Sequence, residues 1–266
     1  MSNTIDWGKI HYNSWSPETN LTGTGGTPSF SNTKSIELGG IDDYVDCGDN
    51  DNLSFGDGVT DSPFSISAWI NMDRINRFRI FSKYQAPNYE YQFDIGSTNK
   101  LEFFLFDGNN YRGRHFSTTL NINQWYHVVG TYSGVGGSSA ENGIKIYLDG
   151  IRVDNTSSAN GTYVAMDNTS AQVHIGELAS TYANGNIDEV SIFNTELSAS
   201  DVTTIYNGGV PNDISSFNPI SWWRMGEAAT YAGGAWTLVD QGSGGNDGTS
   251  TTLPAPPAQP STDVPT

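Results

Sequence analysis

The sequence has a single cysteine, Cys47, four scattered histidines, only 12 basic residues against 29 acidic ones, and no apolar run long enough to cross a bilayer. Each shortage removes a class of protein. One thiol cannot close an internal disulfide, and no metal-type Cys/His spacing surrounds it, so stability has to come from a packed core. His11, His115, His127 and His174 form no HxH or HExxH pair, which leaves zinc and iron sites without support. A formal net charge of −17 repels polyanions, so nucleic acid is not an expected partner. The opening MSNTIDWGKIHYNSW lacks the basic and apolar regions of a secretory signal, and no membrane insertion is expected.

What is present is glycine, aromatics and turn formers: Gly 30, Tyr 13, Phe 12 and Trp 7, with hydrophobic residues at 36% and charged ones at only 15%. That mixture, poor in Lys, Glu and Ala, favours strands over helices. From about residue 34, short extended segments recur between turns every 8 to 12 residues, the spacing of a β-sandwich. The segments are SIELGG, DYVDCG, FSISAWINM, RFRIFSKY, YEYQFDIG, KLEFFLFDG, YRGRHFS, WYHVVGTYS, GIKIYLDG, AQVHIGEL and NIDEVSIFN. In FSISAWINM, Phe64, Ile66, Ala68 and Ile70 share one face, which is assigned to the core. Ile144, Ile146 and Leu148 alternate likewise before the Leu148-Asp149-Gly150 turn of a hairpin. Ser198 followed by Asp201, then Val202, Ile205 and Tyr206 and the stop Gly208-Gly209, predicts one short capped helix over 198–207.

The fold class expected is all-β: a two-sheet antiparallel jelly-roll sandwich with one short helix and extended terminal segments. Residues 1–33 form an N-terminal aromatic arm and linker, and 34–209 the sandwich. Residues 210–252 form an aromatic, turn-rich segment that completes the sandwich or begins a second, and 253–266 a Pro-rich tail that forms neither ladder nor helix. Trp7, Tyr12 and Trp15 in the arm, with Trp222 and Trp223 near the other end, are candidates for docking onto neighbouring subunits, because exposed rings in isolation are costly.

In their order along the chain, LGGIDDYVDCGDNDNL, FSISAWINM, NQWYHVVGTYSG, IKIYLDGIRV, HIGELAS and GNIDEVSIFNTELSASDVTTIYNGG resemble the laminin-G-like jelly rolls of the concanavalin A-like lectin and glucanase superfamily, over about residues 34–209. The resemblance implies a lectin-like domain. It also implies a structural Ca²⁺ bound by Asp188 with Asp43 and Asp42; the plain alternative is that Asp188 only accepts backbone hydrogen bonds. The aromatic arm and Pro-rich ending resemble proteins encoded by marine bacteriophages, which implies a virion surface component, homo-oligomeric and bound to a glycan or cell surface. A free bacterial lectin module, extracellular or on a cell surface, is the other reading.

A glucanase needs two carboxylates flanking the scissile bond, and on one strand that means alternating positions. No E-x-D-x-E run occurs; Asp188 and Glu189 are adjacent and are expected on opposite faces, and Glu90 and Asp94 lack a third partner. Neither a phosphate-binding glycine loop nor a G-x-S-x-G elbow is present. The protein is therefore expected not to be an enzyme. For sugars, Tyr89, Tyr111 and Tyr182 with Asn88, Asn109, Asn110 and Asn184 are the candidates, since rings stack on pyranose faces and amides bond hydroxyls. An ordinary protein contact surface is the alternative for these residues. Arg77, Arg79, Arg112 and Arg114 are either an anion-binding patch or plain strand-face arginines.

Overall fold

The computed structural model describes residues 30–75 and 77–266. The chain divides into two compact units, Met1–Ser31 and Asn32–Thr266, and the second is the sandwich. Trp7, Tyr12 and Trp15 lie outside the described residues.

Its first strands are β1 (Ile36–Gly39), β2 (Val45–Asp46), β3 (Phe64–Met72), β4 (Phe78–Gln85) and β5 (Asn88–Ile95). Next come β6 (Lys100–Asp107), β7 (Asn110–Thr119), β8 (Trp125–Tyr132), β9 (Ile144–Leu148), β10 (Ile151–Arg152) and β11 (Thr156–Asn160). Then follow β12 (Val173–Ile175), β13 (Glu177–Leu178), β14 (Thr181–Tyr182) and β15 (Asn184–Phe193). After the helix α1 (Ala199–Tyr206) the chain adds β16 (Ser221–Trp223), β17 (Thr230–Ala232), β18 (Ala235–Leu238) and β19 (Gly248–Ser250). Every one of the eleven expected segments carries a strand.

Two antiparallel sheets form the layers. One runs β1-β15-β3-β8-β9-β10, with β16 also on β15; the other runs β11-β7-β6-β5-β4-β12-β2-β19-β18-β17. Between them, Phe64, Ile66, Ile70, Val128, Ile146 and Ile187 of the first meet Phe81, Tyr91, Phe93, Phe103 and Leu105 of the second. The rings pack tightly: Phe55 stacks on Phe64 at 4.3 Å, and Phe64 meets Phe103 edge-on at 5.5 Å. Gly130 on β8 is needed for this contact, because a Cβ there would stand 2.9 Å from Phe103.

All nine residues of β3 are buried, not only the alternating core set. The second face, Ser65, Ser67, Trp69 and Asn71, is covered by other parts of the chain. Trp69 stacks on Tyr206 of the helix at 5.9 Å, and Ser65 bonds the Thr195 carbonyl and the Leu197 amide. The helix begins as expected: Ser198 accepts from the Asp201 amide while Asp201 accepts from the Ser198 amide, and Asn207 ends it in the left-handed region. Ser198→Ala should cost about 1 kcal/mol in a urea titration, the usual worth of such a cap.

One expectation about the C-terminal third needs correcting, and one alternative is resolved. Trp222 and Trp223 are not docking residues on a surface: β16 pairs Trp223 with Val190 and Trp222 with Ser191, so both rings are buried within their own sandwich. Residues 235–250 extend the ten-stranded sheet through Thr249 opposite Asp46, so this segment belongs to the one sandwich. The Pro-rich ending is not free either. Ser261 bridges Ser35, Gln259 bonds the Glu37 backbone, Trp236 donates to the Pro254 carbonyl, and Asp263 accepts from Trp125 and Asn71. Proline cannot donate in a ladder, but its carbonyl and the polar residues between the prolines can still pin the strand-less chain to a sheet edge.

Candidate functional site: the outer face of the ten-stranded sheet

On β5 and β6, Tyr91, Phe93, Ile95, Leu101, Phe103 and Leu105 point into the core, so Gln92, Asp94, Glu102, Phe104 and Phe106 point outward. Register carries this face across the neighbours: Phe104 opposes Gly113 and Phe106 opposes Tyr111 on β7, while Tyr84 of β4 opposes Tyr89 of β5. Five rings therefore touch in sequence. Tyr84 stacks on Tyr89 at 4.2 Å and meets Phe106 at 5.0 Å, Phe106 lies 6.3 Å from Phe104 and 6.1 Å from Tyr111, and Phe104 meets Tyr111 at 5.4 Å. The run crosses four strands, roughly 14 Å at one strand spacing each. Gly113 lets Phe104 lie flat, since a Cβ there would stand 2.3 Å from its ring. All of these rings except Phe106 are partly exposed.

Beside the rings runs a charged row of successive register partners, Arg79, Asp94, Glu102 and His115. Arg79 and Asp94 form a buried ion pair. Burial pulls Arg79 down to about 10, so it stays charged at neutral pH. Burial pushes Glu102 up to about 7, against the opposing pull of Arg79, Arg77 and Lys100. Burial, Lys100 and Arg114 together lower His115. An acid pair thus does meet on one face, assembled from two strands, which a search along a single strand cannot find. Asp94 is only 1% exposed and held by Arg79, so it is poorly placed to attack a substrate.

Of the expected sugar-binding residues, Tyr89 and Tyr111 come together through Phe106. Asn88 bonds Ser170, the Asn109 carbonyl accepts from Asn160, and Asn110 sits against Gly161, all at the ends of strands β5 to β7 and β11. Tyr182 lies on β14, in the separate two-stranded pair β13–β14, with Tyr44 at 6.3 Å. Asn184 belongs to the other sheet, opposite Gly39, and is separate from this face. Tyr84, Phe104 and Phe106 were missed, although KLEFFLFDG holds the signal: its apolar residues occupy both alternating faces of a strand. Three of the four arginines are held by neighbours: Arg79 by Asp94, Arg114 by Asp154, and Arg112 by Glu141 and the carbonyls of Asn160 and Gly161.

A second cluster surrounds Asp188. The sheet bulges between Asp188 and Ser191, and Glu189 takes a φ of 47, so the two adjacent carboxylates turn to the same side instead of opposite ones. Glu227 joins them, the three offering oxygens within 4.8 Å of one another. Asp42 and Asp43 do not. Asp43 caps the Gly39 amide at 2.8 Å, and Gly39 opposes Asn184, four residues from Asp188 or about 13 Å along a strand. Asp42 is exposed.

Asp188 accepts from Asn32 and the Glu189 amide, Glu189 from Trp222 and Arg224, and Glu227 from the amides of Thr33 and Lys34. Burial and the neighbouring Glu189 raise Asp188 well above the ordinary carboxylate range, and burial raises Glu189 to about 7. Oε2 of Glu227 and Oδ1 of Asn32 are buried without a partner among the described residues. Hard oxygens with two unused acceptors suit Ca²⁺ better than any softer metal.

The described residues contain no helix long and apolar enough to cross a membrane. No curated protein matches the chain in sequence. Among solved structures, a Bacteroides ovatus protein designated a carbohydrate-binding candidate superposes with a TM-score of 0.53 at 18% identity, covering 81% of this chain and 58% of its own. The chain thus spans well under two thirds of that protein. A SAP-like pentraxin from Limulus polyphemus aligns at 18% identity over 68% of this chain and 86% of its own, with a TM-score of 0.42. The binding domain of botulinum neurotoxin serotype G aligns at 16% identity over 65% of this chain and 41% of its own, with a TM-score of 0.46. The laminin-G-type family described as the concanavalin A-like lectin/glucanases superfamily matches residues 38–203. That span is more than half of the chain, and the protein belongs to this superfamily.

Proposed function

We propose that the protein is a non-catalytic, lectin-like module that takes a glycan on the outer face of its ten-stranded sheet. The observation that carries the reading is the continuous row of five rings, Tyr84, Tyr89, Phe106, Phe104 and Tyr111, flanked by the polar groups of Gln92, Glu102 and His115. Rings present flat apolar surface to a sugar while amides and carboxylates fix its hydroxyls. A Bacteroides ovatus carbohydrate-binding candidate shares the fold, which is consistent with this use of it.

Calorimetry against neutral oligosaccharides should show saturable binding, and Phe104→Ala should weaken it about tenfold, equivalent to about 1.4 kcal/mol. Equal binding by the variant would remove the face from the site. Release of reducing ends from the same sugars, abolished by Glu102→Gln, would overturn the non-catalytic part.

We propose further that Asp188, Glu189 and Glu227, with Asn32 Oδ1, hold a structural Ca²⁺ that neutralises their mutual repulsion. Chelation with EDTA should then lower the melting temperature by several degrees at pH 8, and added Ca²⁺ should restore it. An unchanged melting curve, with no calcium by elemental analysis, would leave Arg224, paired with Glu189, as the cluster's counter-charge among the described residues.

Display on a larger particle, such as a virion surface built from copies of this chain, rests on the aromatic arm of residues 1–33 alone, since the C-terminal residues are consumed by the sandwich. Electron microscopy of the native assembly tests it: ordered arm density against a neighbouring subunit is the expected result.

A further inference from the structure

The row of rings does not continue across the whole sheet. At β4 the hairpin β13–β14 rises over the same outer side, anchored where Ser82 Oγ donates to the Glu177 carbonyl at 2.8 Å. Its turn is made by Ala179 and Ser180, both left-handed at φ 50 and 57, and the Ser180 amide donates back to Glu177. Between this hairpin and Tyr84 lies a pocket of about 370 Å³ lined by Tyr84, Gln85, Ala86, His174, Glu177, Ala179 and Ser180. That volume is in the range of small-ligand sites. Tyr84 serves both features, as the last ring of the row and as one wall of the pocket.

The polar groups of the pocket are held in place. His174 pairs through Nδ1 with Glu177 at 2.6 Å, and Tyr44 packs edge-on against the imidazole at 4.9 Å. Nε2 of His174 has no partner among the described residues. Gln85 is exposed at the mouth.

We infer that this pocket receives the terminal residue of a glycan chain, so that the protein recognises chain ends and not chain interiors. The inference rests on the glycan-binding reading above. A row of rings with both ends open would accept any stretch of a polysaccharide. Here a chain lying on Tyr111, Phe104 and Phe106 and reaching Tyr84 runs up against the hairpin residues Glu177, Ala179 and Ser180. A terminal residue also carries a hydroxyl that an interior residue spends on its next linkage, and the polar lining it would meet is the Gln85 amide and the Glu177 carboxylate, the latter already fixed by His174 and the Ser180 amide.

Stoichiometry decides the matter. The full chain is titrated calorimetrically with cello-, laminari-, malto-, xylo- and arabino-hexaoses and with the soluble polymer of each. End recognition gives one protein per chain for hexamer and polymer alike. Several proteins on each polymer chain would overturn it while leaving glycan binding intact. Failure of every hexamer and polymer to bind would remove the glycan-binding reading itself, and this inference with it. Gln85→Trp, which crowds the pocket mouth at an exposed position, should weaken the bound hexamer at least tenfold with an unchanged melting temperature. Undiminished affinity in that variant, correctly folded, also overturns the inference.

Discussion

Replacing Trp223 by alanine is expected to destabilise the protein by about 3–5 kcal/mol, the range for removing a fully buried large aromatic. Trp223 is 0% exposed, lies 5.9 Å from Phe81 of the opposite sheet, and donates its indole N–H to the Asn246 carbonyl at 2.7 Å. Alanine would leave a cavity between the layers and strand that carbonyl without its partner. The residue sits outside the span matched by the family, so the substitution also tests whether the C-terminal third is part of the folding unit. Equilibrium denaturation in guanidinium should show one cooperative transition shifted to lower denaturant. A second, independent transition, or a shift of a few tenths of a kcal/mol, would mean that residues 221–250 fold as a separate attachment.

The second large effect is a pH dependence centred on Glu102. Its carboxyl lies against Gly96, opposite Asp94 and His115, and burial raises it from 4.5 to about 7. A group whose folded value is raised binds its proton more tightly in the native state. The stability it contributes is therefore complete below about 4.5 and is lost as pH rises through about 7. A shift of that size corresponds to about 3 kcal/mol, reduced to about 1–3 kcal/mol because the side chain is partly exposed and screened.

Other groups titrate too. Burial also raises Asp61 and Asp149, whereas backbone amides lower Asp57, so the wild-type slope is a sum. The measurement is therefore a comparison: Glu102→Gln should narrow the difference in unfolding free energy between pH 5 and pH 8. Identical pH profiles for the two proteins would show that the carboxyl is as well solvated folded as unfolded. Arg79, Arg77, Lys100, His115 and Asp94 are the charged or titratable groups facing it.

The face that carries both the rings and Glu102 shows how far local reasoning reaches. KLEFFLFDG and YEYQFDIG read directly as strands, and their alternation says which residues oppose the core once the core face is known. It does not say which strands lie side by side. Asp94 and Glu102 became an acid pair, and Tyr89 and Tyr111 members of one row, only through the pairing of β5 with β6 and β6 with β7. The Asp188 cluster failed for a different reason. Strict alternation placed Asp188 and Glu189 on opposite faces, and one bulge with a left-handed Glu189 reversed that.

By itself the sequence determined the class of fold, the positions of eleven strand-bearing segments, the capped helix expected over 198–207 and found at 199–206, and the absence of an internal disulfide, because each of these follows from side-chain period, turn chemistry or composition within a short window. The tertiary structure alone decided that the tryptophans and prolines of the C-terminal third close the sandwich, that three carboxylates converge from two distant segments, and that a hairpin is anchored on β4 beside the aromatic row. Those facts depend on register and on contacts between residues far apart in the chain, and local patterning carries no information about either.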